Sequence, residues 1–172
     1  VGLEQIGVGP NIKEKHPEIT RFRGLVEFCL TQATSSIILK LNRSGGTVME
    51  TEFLSKAREN LRAAQICLDN GLYNACANRA YYSALQGAVA ALASKGLMRD
   101  KIDHRWVQAD FSAKLIRSQK VYPAKVRSYL TDMQLVRNRA DYTDEQITKK
   151  VAYRWLSKTE ELVGLIGKEI GK

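Results

Sequence analysis

The chain has 172 residues, of which 44% are hydrophobic and 26% charged: enough for one domain with a real core and too few for two comfortable ones. A net charge of +9 suits acidic partners such as nucleic acid, an acidic protein or anionic lipid, and equally suits a solvated basic surface. No run approaches the roughly 20 apolar residues of a membrane span, no basic-then-apolar leader opens the chain, and Cys29, Cys67 and Cys76 with His16 and His104 offer no zinc-ligand spacing. These features point to a reducing, cytoplasmic setting without metal or cofactor.

Residues 1–48 have no sustained hydrophobic period. Residues 1–10 read as loop, and residues 19–41 have room for a helix but no clean apolar stripe. Ser44-Gly45-Gly46-Thr47-Val48-Met49 can be encoded by codons that place GGAGG shortly before an ATG. The expectation is therefore a poorly patterned extension over 1–48, with Met49 as the natural start, and one helical domain over 49–172.

From Met49 on, helical periods are strong. Leu54, Ala57, Leu61, Ala64 and Leu68 form one stripe, Thr51 offers an N-cap, and Asn70-Gly71 offers the left-handed residue that ends helices. A second helix over 72–95 is alanine-rich and apolar nearly all round, which marks a central element ended by Gly96. Its Tyr81 and Tyr82 point about 100° apart, so one belongs to the core and the other to an interface. A third helix starts at Asp103, with Val107, Phe111 and Leu115 on one face. Pro123 opens a fourth, carrying Val126, Tyr129, Met133, Val136 and Ala140. Thr143-Asp144-Glu145-Gln146 has capping-box form and opens a fifth, with Ile147, Val151, Trp155, Leu162 and Ile166 inward. Nothing alternates with period two. Short connections predict an all-α, antiparallel up-and-down bundle of about five helices. Arg117, Lys120, Lys125 and Arg127, around the third-to-fourth helix turn, are either a phosphate-binding patch or a solvated face.

Two segments carry a family resemblance. Ala77-Asn78-Arg79-Ala80-Tyr81-Tyr82-Ser83-Ala84 resembles the second-helix signature of HEPN proteins. Leu135-Val136-Arg137-Asn138-Arg139-Ala140-Asp141-Tyr142 resembles the Arg-x-x-Ala-Asp-Tyr element of the UPF0332 branch, and His104 matches a histidine often found in the connecting segment. The resemblance spans about 51–170. It implies a bundle that often dimerises and is commonly encoded beside a minimal nucleotidyltransferase, several such pairs being toxin–antitoxin systems. Toxic members are metal-independent ribonucleases with an Arg-x(4–6)-His motif, two copies of which meet in the dimer cleft. Some are silenced when the partner adenylylates a tyrosine two residues beyond that histidine, where this chain has Asp144.

Metal-free RNA cleavage needs a base for the 2′-hydroxyl, an acid for the leaving oxygen and a cation for the phosphate. Arg137 supplies the cation, but the fifth residue after it is Tyr142, and a tyrosine of pKa about 10 is a poor base at neutral pH. The candidate catalytic set is thus Arg137, Tyr142 and His104; the candidate binding set is Arg79, Asn138, Asp141 and Tyr82. Arg137 and Asp141, four apart on a helix, make an ion pair, and Arg79 calls for a carboxylate partner such as Asp141. The leading expectation is a homodimeric binding module that works with a minimal nucleotidyltransferase in a toxin–antitoxin or defence pair. The alternative is a ribonuclease with a substituted base, acting on RNA.

Overall fold

The computed structural model describes residues 47–172, which lie within the compact unit Ser44–Lys172. The expectations for residues 1–46, including a helix within 19–41, fall outside the described residues. Among these residues five helices occur and no strand: α1 (Thr47–Asp69), α2 (Tyr73–Ser94), α3 (His104–Asp110), α4 (Tyr129–Tyr142) and α5 (Lys149–Ile170). Beyond Asp110, α3 continues as π-helical turns over Phe111–Ser118.

The predicted stripes face inward. Leu54, Ala57, Ala64 and Leu68 of α1 are buried, as are Val107, Phe111 and Leu115 along α3 and its continuation. Phe111 stacks on Tyr122 with ring centres 5.3 Å apart. Glycines end the first two helices as expected. Gly71, with φ +74°, closes α1: its N–H donates to the Leu68 carbonyl at 3.1 Å, and the Leu72 N–H donates to Cys67 at 2.8 Å. Gly96, with φ +68°, repeats this at the end of α2. Asp103 caps α3, accepting from the N–H groups of Arg105 and Trp106 at 2.7 and 3.1 Å.

Three predicted helix starts shift. Thr51 lies inside α1, where its hydroxyl donates back to the Val48 carbonyl at 2.8 Å. Pro123 opens only a single 3₁₀ turn, Ala124–Val126, before α4. Thr143 does not cap α5: its hydroxyl donates to Arg139 at 2.9 Å and so closes the end of α4. The N-cap of α5 is Thr148, five residues later, whose side chain accepts from the Val151 N–H. The intervening Ile147 is still buried, but outside any helix, and its N–H donates to the Asn74 side chain at 2.9 Å.

The buried core groups around α2, which touches every other helix. Its pairings give the helix directions. Ser83 Oγ donates to the Ala57 carbonyl, and Asn60 meets Arg79, so α1 and α2 run antiparallel. Asn78 with Asp141 and Tyr82 with Arg137 make α2 and α4 antiparallel. Tyr129 with Glu161 and Met133 with Thr159 do the same for α4 and α5. Successive long helices therefore alternate up and down. The α2/α5 contact is parallel, since Ala80 meets Thr159 and Lys95 meets Glu169. Close approach there rests on Gly87, where an added Cβ would lie 3.3 Å from Ile166 Cδ1. No described helix is long and apolar enough to cross a membrane.

Candidate functional site

Helix α2 is not apolar all round. Asn74, Asn78, Tyr82 and Gln86 recur every four residues as a half-buried polar stripe. Each has a partner on another segment. Asn74 holds Ile147 and Gln86 accepts from Asn60 at 2.9 Å, so the two ends of the stripe are structural. The middle two, Asn78 and Tyr82, face α4.

There the antiparallel register brings α2 against Arg137 and Asp141, with Asn138 and Tyr142 beside Arg137 on α4. The Arg137 guanidinium is engaged at every nitrogen. Nη1 donates to Asn138 Oδ1 at 3.3 Å and to the Tyr142 hydroxyl at 3.4 Å, and Nη2 donates to the Tyr82 hydroxyl at 3.3 Å. Nε lies 2.8 Å from Asp141 Oδ2, the expected i,i+4 ion pair, although its N–H is not aligned for a hydrogen bond. The same guanidinium lies 5.8 Å from the Tyr82 ring centre and 5.2 Å from that of Tyr142, within cation–π range. Burial works against its charge, but the Tyr142 hydroxyl, Tyr82 and Asp141 outweigh that and hold Arg137 protonated beyond even its ordinary value.

Arg79 does not pair with Asp141 as the sequence suggested. It is exposed, lies 5.7 Å from the Tyr82 ring centre, and donates to amide oxygens, Asn60 at 3.3 Å and Asn78 at 3.1 Å. Asn78 takes the carboxylate instead, its Nδ2 donating to both Asp141 oxygens at 3.1 and 2.9 Å. Arg79 therefore acts on Asp141 through the Asn78 amide. Asn78 was not singled out from the sequence; its four-residue spacing from Tyr82 was the available signal.

His104 also lies against Tyr82. Its ring centre lies 6.2 Å from that of Tyr82 in an edge arrangement, and its Nδ1 is 3.0 Å from the hydroxyl of Tyr81. Of the two tyrosines, Tyr81 is fully buried and Tyr82 half-buried. Burial, with some help from Tyr82, pushes the Tyr81 hydroxyl above its ordinary range despite Gln108 and Arg137, so it stays protonated at neutral pH. Tyr142, by contrast, is 73% exposed. The structure thus assembles Arg79, Tyr82, Arg137, Asn138, Asp141 and Tyr142 in one cluster and sets His104 beside Tyr82, with no contact between His104 and Arg137 among the described interactions.

The basic turn between the third and fourth helices is looser. Lys125 pairs with Glu161, while Arg117, Lys120 and Arg127 are exposed. No group of three or more His, Cys, Asp or Glu among the described residues is placed to hold a metal ion. Chemically, the α2–α4 cluster offers guanidinium and amide donors around two phenol rings, a surface suited to planar and anionic groups.

No curated protein matches the chain. Against known protein families, the HEPN domain matches residues 51–170, most of the chain and all of the cluster just described. An all-α helical bundle agrees with that match, and the chain belongs to the HEPN domain family.

Proposed function

We propose that this HEPN domain is a homodimeric binding module of the UPF0332-like branch, acting in the cytoplasm with a minimal nucleotidyltransferase in a toxin–antitoxin or defence pair. The observation that supports the reading is the set of intramolecular contacts around Arg137. A phosphate-binding arginine offers its fork to the ligand, whereas this one turns Nη1 to Asn138 and Tyr142, Nη2 to Tyr82 and its charge to Asp141. Arg137 then shapes a surface instead of awaiting a scissile phosphate. The exposed Tyr142 ring beside it gives that surface an aromatic face of the kind enriched at protein interfaces. The test is light scattering of the purified protein, with capture, on co-expression, of any nucleotidyltransferase encoded beside it. A strict monomer that captures no such partner would sink the proposal.

One observation favours a second reading, a metal-independent ribonuclease: the Tyr142 hydroxyl, at the position of the motif histidine, is 3.4 Å from Arg137. Cleavage of a fluorogenic RNA in the presence of chelator separates the two. The binding-module reading expects background cleavage from wild type and Arg137→Ala alike; the ribonuclease reading expects cleavage that Arg137→Ala abolishes.

A further inference from the structure

A part-buried relay centred on Tyr81 lies beside the site. Gln108 Nε2 is 2.8 Å from Gln134 Oε1 and 3.4 Å from the Tyr81 hydroxyl oxygen, which in turn is 3.0 Å from His104 Nδ1. The Gln108 amide is committed as donor toward both oxygens. The Tyr81 oxygen therefore accepts from Gln108, and its proton needs an acceptor. Tyr81 is fully buried, and among the described residues the one acceptor within hydrogen-bond distance of its hydroxyl is His104 Nδ1. A buried hydroxyl left without an acceptor loses its hydration with no return, which favours the arrangement that satisfies it.

We infer that Tyr81 is a positioning residue: it donates to Nδ1 of His104 and so fixes the neutral imidazole as the tautomer with its proton on Nε2. The two ring nitrogens then have separate roles. Nδ1, the lone-pair nitrogen, is turned to the interior and occupied. Nε2 carries N–H and is a donor toward an acceptor oxygen, such as a phosphate or carbonyl. In that state His104 has no free lone pair with which to take a proton from a ribose hydroxyl. This goes beyond the binding-module reading, and it removes His104 as the substitute base in the ribonuclease reading while leaving it a role as hydrogen-bond donor.

The experiment is a long-range proton–nitrogen correlation of the imidazoles in ¹⁵N-labelled full-length protein, above the imidazole titration range. The chain's other histidine is His16, so His104 is assigned by its loss in His104→Asn. The expected wild-type pattern is protonated Nε2 and unprotonated Nδ1, without the tautomer mixture of a free imidazole. Tyr81→Phe should restore that mixture. Gln108→Glu replaces the amide donor with a carboxylate acceptor, reverses the sense of the relay and should move the His104 proton to Nδ1. A wild-type His104 that is mixed, or protonated at Nδ1, overturns the inference without any variant. So does a folded Gln108→Glu protein that keeps the wild-type tautomer. The tautomer is read without ligand or partner, so this result and that of the oligomer and capture experiments can fail separately.

Discussion

Replacing Arg137 by Met removes the guanidinium and keeps most of the aliphatic stem. The two hydroxyl contacts, at 3.3 and 3.4 Å, are long and count for little. The two cation–π contacts contribute about 0.5–1 kcal/mol each at partly exposed positions. The ion pair with Asp141, its side chains 17% and 24% exposed, contributes about 0.5–1 kcal/mol after screening by solvent. Together these give a destabilisation of about 2 kcal/mol, or a Tm fall of roughly 5–10 °C for a domain of this size. Urea denaturation at fixed protein concentration measures it, since any oligomerisation makes stability concentration-dependent. A double-mutant cycle of Arg137→Met with Asp141→Asn isolates the charge pair and should return a coupling of about 0.5–1 kcal/mol. The reasoning is refuted if Arg137→Met lies within about 0.5 kcal/mol of wild type, the range of an ordinary surface substitution. In that case the guanidinium contributes nothing to the fold and is free for a ligand.

Three further outcomes are expected. Burial disfavours ionised Asp110, but Lys114 at 2.9 Å, the Trp106 indole N–H at 2.8 Å and Arg99 at 3.4 Å outweigh it and hold the carboxyl below its ordinary range. Because the folded-state pKa is the lower one, the stabilisation is present above the unfolded carboxyl value and lost as pH falls through the folded value. Asp110→Asn should therefore flatten the acid limb of a stability–pH profile, and an unchanged limb would count against the pairing. Lys120 has φ +52°, a left-handed conformation that costs a side-chain-bearing residue about 1–2 kcal/mol, so Lys120→Gly should stabilise by about 0.5–1 kcal/mol in thermal melts, part of the gain being offset by glycine's chain entropy. Thr159, fully buried on α5, donates to the Trp155 carbonyl at 2.9 Å and lies 3.3 Å from that of Ala80; Thr159→Val keeps its shape and should cost about 1 kcal/mol in urea unfolding, with an unaltered midpoint arguing that these bonds contribute nothing net.

The sequence by itself determined that the described part of the chain is helical, roughly where its helices lie and which faces turn inward. The three-and-four spacing of Leu54 to Leu68, the buried row Val107, Phe111 and Leu115, and the glycines at 71 and 96 are local signals, and local physics decides helix faces and ends. It also made the Arg137–Asp141 pair legible, since four residues on a helix are neighbours whatever surrounds them. Competition between adjacent signals was decided elsewhere. Thr143 has the form of a cap, but it was drawn into the end of α4 while Asn74 held Ile147 in the linker, and the cap fell to Thr148. Charge attraction alone suggested Arg79 with Asp141; the α2–α4 register instead put the Asn78 amide between them. Only the tertiary structure could bring Tyr82 to both His104 and Arg137 and bury Tyr81 against His104 Nδ1, because these groups come from three helices, and their meeting depends on how the helices pack rather than on any spacing along the chain.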